Sequence, residues 1–328
     1  MKVLITGAGG FIGSHLVNSQ LNRGNFVRAV DLDLRRLNRA EQDPRLEKIQ
    51  GDVTDPGLVR NLVDEVDIVY HLASAHLDTR IPEADYRRVN VAGTQILLQA
   101  AIRAGVRRFV HCSSVGVIGD VKNPPADETT DCRPTNIYEQ TKLEGEEAAV
   151  GFARQNGFPV VVARPAWVYG PHCPRTEKLL RAISKGRFLF FGRGENLRHP
   201  IYVNDAVRGL ELCAEPGSRT GEVYIIAGEI PVQVVDLVAL ISQELGVRPP
   251  RFRLPVAVGR GGAAVLELVY QLTGGQPPFT RRSLDFFVKN NAYDTGKAQR
   301  ELGFRPRADL RAGIRETIEW WKSKGEKT

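Results

Sequence analysis

The feature that most constrains this chain is a glycine-rich turn, Thr6-Gly7-Ala8-Gly9-Gly10-Phe11-Ile12-Gly13, set between an apolar run and a helix-period stretch. Lys2–Ile5 reads as a strand, and Ile12, Leu16 and Leu21 share one face of a helix. Glycines in that setting form a dinucleotide-binding fingerprint; without the flanking elements they would make a tight turn and nothing more. Gly7 would form the turn, Gly10 would let backbone approach a pyrophosphate, and Gly13 would let helix and strand pack closely. The diphosphate would rest on the helix N-terminus at Phe11 and Ile12, where free N–H groups and the macrodipole favour anions.

The rest of the chain repeats this alternation. Strand-like runs at Lys2–Ile5, Phe26–Val30, Leu46–Gln50, Asp67–His71, Arg108–Cys112 and Pro159–Ala163 are separated by helical stretches near Phe11–Arg23, Pro56–Glu65, Glu83–Ala104 and Tyr138–Gln155. The pattern predicts an α/β fold with a Rossmann-type, doubly wound parallel sheet. The 328 residues exceed what one compact core uses. Beyond Arg164 the rhythm breaks, and shorter elements appear around Leu179–Ser184, Phe188–Phe191 and Val223–Ala227. Residues 1–165 are expected to form the NAD-binding unit, with a segment near 198–228 returning to it. Residues 166–328 are expected to form mainly a smaller substrate domain.

Composition excludes several classes. With 42% apolar and 25% charged residues the chain is an ordinary globular one. Its net charge of +7 comes from scattered residues, the densest groups being Arg35, Arg36 and Arg39, Arg107-Arg108, and Arg281-Arg282. Such short groups read as solvated surface, not a nucleic-acid footprint, although a mildly positive field suits anionic cofactors or acidic membrane surfaces. Four dispersed cysteines (Cys112, Cys132, Cys173, Cys213) with no CxxC pair point to a reducing compartment and to no metal site. The first strand starts at Met1, leaving no room for a cleaved signal, and Arg260 and Glu267 interrupt the most apolar stretch. A cytoplasmic location is expected.

Asp31 ends the second strand, roughly 20 residues past the glycines. A carboxylate there accepts hydrogen bonds from adenosine ribose hydroxyls and repels a 2′-phosphate, so NAD is expected ahead of NADP. Asp52 and Val53 follow the third strand, where they would touch adenine; Leu72, Ala73 and Ser74 follow the fourth. Tyr138 and Lys142 stand four apart on a predicted helix and project from one face. A tyrosine with its ordinary pKa of about 10 is a poor base at neutral pH. Lys142 and an oxidised nicotinamide are both expected to lower it.

At this point the chain resembles the extended short-chain dehydrogenase/reductase family. The matching pieces are TGAGGFIG, GDV at Gly51–Val53, HLA at His71–Ala73, NVAGT at Asn90–Thr94, CSSVGVIG at Cys112–Gly119, YEQTK at Tyr138–Lys142 and RPAWVYGP at Arg164–Pro171. The resemblance implies Tyr138 as general acid/base, with Lys142 also binding the nicotinamide ribose. It further implies Ser114 (or, less well, Ser113) as the holder of the substrate oxygen, Asn90 as a hydrogen-bonded support, and Pro165 beside the cofactor. Family members are commonly homodimers joined through helices matching Glu83–Ala104 and Tyr138–Gln155, although the apolar residues there would serve a core equally well.

Departures from subfamily patterns narrow the reaction. Nucleotide-sugar 4,6-dehydratases carry an Asp-Glu pair after the active-site hydroxyl residue, where this chain has Val115-Gly116. Nucleotide-sugar epimerases have an asparagine where Trp167 stands, and a later arginine run that LDFFVKNNAYD, Leu284 to Asp294, lacks. Arg198 in NLRHPIYV preserves one diphosphate-binding arginine. The chain is also similar to 3β-hydroxysteroid and sterol-4-carboxylate 3-dehydrogenases in RPAWVYGP, GRGENLRHPIYVNDA, PRFRLPVAV at Pro250–Val258 and PPFTRRSLDFF at Pro277–Phe287. Trp167, Phe188, Phe190, Phe191 and the stretch Val256–Leu272 would suit a greasy pocket or lid, even one resting on a membrane, although Val256–Leu272 also reads as a core helix. The expected function is hydride transfer between NAD and a secondary alcohol of a hydrophobic, steroid-like substrate. The alternatives are a UDP-sugar 4-epimerase and a non-catalytic dinucleotide-binding protein.

Overall fold

In the computed structural model, residues 1–40, 42–76, 81–273 and 279–325 are described. Pro277 and Pro278 of the PPFTRRSLDFF run therefore lie outside the described residues. Seven parallel strands form the central sheet: β1 (Lys2–Thr6), β2 (Phe26–Asp31), β3 (Leu46–Gln50), β4 (Ile68–His71), β5 (Arg108–Cys112), β6 (Val160–Pro165) and β7 (Val223–Ile226). Their spatial order is β7-β6-β5-β4-β1-β2-β3, so the order reverses between β1 and β4. Alternate residues supply the two cores. Val3, Ile5, Val110 and Val161 face one layer, and Leu4, Val69, Phe109 and Val160 face the other. Strands covered on both faces have to be apolar throughout, which is why they read as unbroken hydrophobic runs.

The helices that matter for the site are α1 (Phe11–Asn22), α2 (Pro56–Leu62), α3 (Thr94–Arg103) and α4 (Ile137–Asn156). The stretch Glu83–Ala104 is not the uniform helix that its pattern predicts: an α-turn at Glu83–Arg87 passes into a π-helical segment, Arg88–Gly93, before α3. Asn136 caps α4 by accepting from the Glu139 N–H at 3.1 Å, and Gly157 closes it in the left-handed conformation. Arg164 on β6 and Glu146 on α4 form a buried ion pair at 2.5 Å that locks the helix to the sheet.

A third core gathers Tyr169, Leu180, Phe188, Phe190, Leu237, Ile314 and Trp321 in the C-terminal half. β7 and the helix α5 (Val203–Ala214) return to the main sheet, α5 packing on α1. The helix α6 (Val256–Thr273) corrects the core-helix expectation. Gly259 and Ala263 face inward, but Val258, Val265, Leu268 and Val269 are exposed. All four cysteines are free thiols. No helix among the described residues is long and apolar enough to cross a membrane.

Candidate active site

The glycine turn fills the switch point between β1 and β4, the crevice where open parallel sheets bind ligands. Gly7 has φ +71°, and a Cβ there would stand 2.6 Å from the Ala73 nitrogen. A Cβ on Gly13 would stand 2.0 Å from the Gly7 carbonyl oxygen, so helix and strand touch as the fingerprint requires. Gly9, which sequence reasoning passed over, makes the closest approach of all, with its Cβ position 1.8 Å from the Asp33 carbonyl oxygen. α1 has Gly10 as its N-cap, with no side-chain cap and no acid in its first turn, so its first N–H groups have no side-chain acceptor from the cap. Asp31 hangs beside them. Its Oδ2 accepts from the Gly9 N–H at 2.9 Å and its Oδ1 from the Asp33 N–H at 3.2 Å. A carboxylate has about four acceptor positions, so lone pairs are left for ribose hydroxyls. This donor and acceptor set fits a dinucleotide.

Asp52 is engaged otherwise. Its Oδ2 accepts from Arg88 at 2.9 Å and its Oδ1 from the Thr54 N–H at 2.9 Å. Burial opposes ionisation, yet these bonds hold its pKa below the ordinary value. Val53 is buried, and Leu72, Ala73 and Ser74 line the crevice beyond β4 half-buried. Pro165 ends β6 in the interior.

Asn90 lies in the π-helical segment, and its amide joins three elements. Oδ1 accepts from the Ala75 N–H (2.8 Å) and the Ser74 hydroxyl (3.0 Å), while Nδ2 donates to Thr141 Oγ1 on α4 (2.9 Å). Gly145 makes this approach possible, since a Cβ there would stand 2.3 Å from the Asn90 carbonyl oxygen. A buried relay continues from the same carbonyl. Thr94 Oγ1 donates to it at 2.8 Å, so Thr94 must accept from His71 Nε2–H at 3.0 Å. That fixes the tautomer: His71 Nδ1 accepts from Thr6 Oγ1 at 2.8 Å, and Thr6 accepts from the Ala73 N–H at 3.3 Å.

Tyr138 sits in the first turn of α4 and Lys142 one turn on, as the spacing predicts. Ser114, capping the turn Val115–Ile118, accepts from the Gly116 N–H at 3.0 Å, and its hydroxyl is near enough to the Tyr138 phenol to favour the ionised form. Ser113 is buried with its hydroxyl unpartnered among the described residues, so Ser114 is the serine brought to Tyr138. Burial pushes the Tyr138 phenol up to about 12, and the positive charges of Arg175 and then Arg282 oppose this. Lys142 is buried, donates to the Cys112 carbonyl at 2.5 Å, and has its own pKa lowered by desolvation.

Three side chains around Tyr138 were absent from the sequence reading as site residues. The His76 ring meets the Tyr138 ring edge-on, centroids 4.8 Å apart, and Arg175 Nη2 donates to His76 Nε2 at 3.1 Å. The Arg282 guanidinium lies 5.8 Å from the Tyr138 ring centroid. His76 is exposed, and desolvation, followed by the charges of Arg175, Arg282 and Lys142, lowers its pKa. The only sequence signal was the Arg281-Arg282 pair, which composition alone assigned to solvent.

In the C-terminal half, Trp167 opens a file of aromatic rings. It meets Phe286 at 6.1 Å, Phe286 meets Phe287 at 5.2 Å, Phe287 meets Phe191 at 5.5 Å, and Phe191 meets Phe279 at 5.0 Å. Arg198 is tied into the base of this file. It donates to the Phe286 carbonyl at 3.2 Å, to the Asp285 carbonyl and to Asn291, and burial lowers its pKa to about 10.

Comparison with known proteins agrees with this geometry. The family model described as NAD dependent epimerase/dehydratase family matches residues 3–227. A protein of Streptomyces antibioticus named dTDP-glucose 4,6-dehydratase is 33% identical over 98% of this chain and 92% of its own length. A Mycobacterium tuberculosis protein named 3 beta-hydroxysteroid dehydrogenase/Delta 5-->4-isomerase is 28% identical over 98% of this chain and 90% of its own. Among solved structures, the UDP-glucose 4-epimerase of Thermotoga maritima with UDP-glucose superposes with a TM-score of 0.82 at 26% identity, covering 99% of this chain and 100% of that one. The glycine cradle, the seven-stranded sheet and these full-length matches agree: the chain belongs to the NAD dependent epimerase/dehydratase family, within the extended short-chain dehydrogenases/reductases.

Proposed function

We propose that this enzyme oxidises a secondary alcohol on a hydrophobic, ring-shaped substrate of the 3β-hydroxysteroid kind, or reduces the matching ketone, with NAD as cofactor. The observation that carries the reading is the aromatic file from Trp167 through Phe286 and Phe287 to Phe191. Flat apolar ligands are recognised by such walls. Arg198 supports it from the other direction, because its donors are occupied by the very segment that carries Phe286.

In this reading Gly7, Gly9, Gly10 and the start of α1 hold the diphosphate, Asp31 the adenosine ribose, and Asp52 and Val53 the adenine. Leu72, Ala73, Ser74 and Pro165 line the nicotinamide end, and Lys142 binds its ribose. NAD, when bound, supplies the hydride acceptor and a positive ring. Ser114 holds the substrate oxygen, and Tyr138 takes the hydroxyl proton as the carbinol C–H bond gives up its hydride, leaving a ketone. Arg175 and Arg282 favour the phenolate form. Asn90 is a positioning residue, acting through Ser74, Ala75 and Thr141. Val115 and Gly116 carry no group for removing a proton or expelling water, and Gly116 lies against Glu139, where a Cβ would meet its Cγ at 3.3 Å. This argues against dehydration.

A nucleotide-sugar 4-epimerase is the second reading, favoured by the likeness to the Thermotoga maritima enzyme and by an arginine at position 198. The division of labour follows the sequence expectation, with residues 1–165 and the returning 198–228 serving the cofactor and 166–328 the substrate. A homodimer through α3 and α4, and a reducing, cytoplasmic setting suited to four free thiols, complete the proposal. One paired assay decides the reaction. NADH absorbance should accumulate with NAD and a 3β-hydroxysteroid panel. Interconversion of a UDP-sugar without net NADH, and no response to any alcohol, would replace this reading with the second.

A further inference from the structure

Among the described residues, six of the eleven exposed large apolar side chains lie in one stretch of chain, from Phe252 to Val269. Phe252 is 77% exposed, Val265 62% and Leu268 58%, and Leu254, Val258 and Val269 are exposed with them. Val258, Val265 and Val269 recur at helical spacing, so they form one stripe on the outer face of α6. The inner face is held down. A Cβ on Gly259 would stand 2.6 Å from the Phe191 ring and 2.7 Å from Leu284, and Ala263 is buried. α6 thus carries apolar groups on two sides, of which only one is covered.

The charge around this face is predominantly positive. From Gly246 to Val269 the chain contains Arg248, Arg251, Arg253 and Arg260 against one acidic residue, Glu267, which is paired with Arg281 at 2.7 Å. All four are exposed. An apolar face rimmed by arginines is complementary to an anionic lipid surface, where the apolar groups enter the acyl boundary and the guanidinium groups meet headgroup phosphates. A second copy of this chain fits poorly: a two-fold contact would set each arginine rim against its own image, on a molecule already at +7.

We infer that Phe252, the short strand Arg253–Leu254 and the outer face of α6 form a peripheral docking surface for anionic lipid bilayers. The helix lies in the interface and does not span. Its inner face rests on Phe191, which stands in the aromatic file, so docking sets the end of that file against the lipid. The inference is independent of whether the substrate is steroid-like or a nucleotide sugar.

The test uses the full chain and flotation with two kinds of vesicle, phosphatidylcholine alone and phosphatidylcholine with phosphatidylglycerol. Binding should be confined to the anionic vesicles, with each arginine contributing about five-fold to partitioning at low salt. The double variant Val265→Asp/Leu268→Asp should lose at least about ten-fold in binding, and Arg248→Glu/Arg251→Glu a comparable amount. NAD binding, read by fluorescence, should be unchanged in both, which separates loss of docking from loss of folding. Failure of the unaltered chain to float with anionic vesicles overturns the inference, as does flotation that survives both double variants. So does a dimer in light scattering that Val265→Asp/Leu268→Asp converts to monomer, because a second copy would then cover the face.

Discussion

The Lys142 ammonium donates to the Cys112 carbonyl oxygen at 2.5 Å, tying α4 to the end of β5. The lysine is therefore first a strut that fixes where the Tyr138 turn meets the Ser114 turn. Arg175 and Arg282 add positive charge that favours the ionised phenol.

Removing the phenol hydroxyl should stop the reaction and leave the site standing. Tyr138→Phe is expected to lower turnover by roughly 10²–10⁴-fold, the usual worth of a positioned acid/base. Affinity for NAD should stay within a few-fold. Steady-state rates with calorimetric NAD titration check this, and retained turnover would remove Tyr138 from the chemistry.

Arg175→Met tests which cation tunes the phenol. Loss of a nearby positive charge raises a tyrosine pKa, so the rising limb of the oxidation rate against pH should move up by about one unit. Activity at neutral pH should fall by roughly ten-fold with it. An unmoved profile would return the tuning role to Lys142.

Asp31→Ala should weaken NAD more than NADP, because the substitution removes an acceptor for ribose hydroxyls and a repeller of the 2′-phosphate. Equal losses in paired titrations would show that the carboxylate serves only the turn, through the Gly9 and Asp33 N–H groups.

Two interior histidines make the fold acid-sensitive. Burial lowers His71 to about 3 and drives His111 well below its ordinary value, with Lys142 adding to both. Between the unfolded pKa near 6.5 and these folded values the unfolded chain binds more protons. Stability is therefore full above about pH 6.5 and falls with acidification by roughly 1.4 kcal/mol per unit per histidine. Both ring nitrogens of His111 are buried without a hydrogen-bond partner among the described residues. His111→Leu should thus raise stability by about 1 kcal/mol at neutral pH and flatten the acid slope. Denaturant melts at pH 7 and pH 5 check both, and an unchanged slope would refute the assignment.

Local patterns carried the sheet and the cofactor crevice into the sequence: strands buried on both faces are written as continuous apolar runs, and Gly7, Gly10 and Gly13 punctuate the turn. Tyr138 and Lys142 were legible for the same reason, because four residues of helix set their relation. Arg175, Arg282 and His76 were not legible, since tertiary packing alone brings three distant segments to one phenol. Asn90 was found by motif, but its π-helical setting was hidden, because RVNVAG contains nothing to mark a widened turn. α6 misled for a different reason. Apolar composition fixes that a helix has greasy faces and leaves open how many of them the protein covers.

The widened turn at Arg88–Gly93 means that the rod from Glu83 to Arg103 carries residues out of step with an ideal α-helix. An α-helix advances about 100° per residue, so deleting one residue here would swing everything before the cut around the axis by that angle relative to everything after it. The Asn90 amide could not then face Thr141 and Ala75 together while Thr94 kept hold of His71. That one surplus residue is a phase offset, and the grip between the coenzyme crevice and the tyrosine helix depends on its being kept.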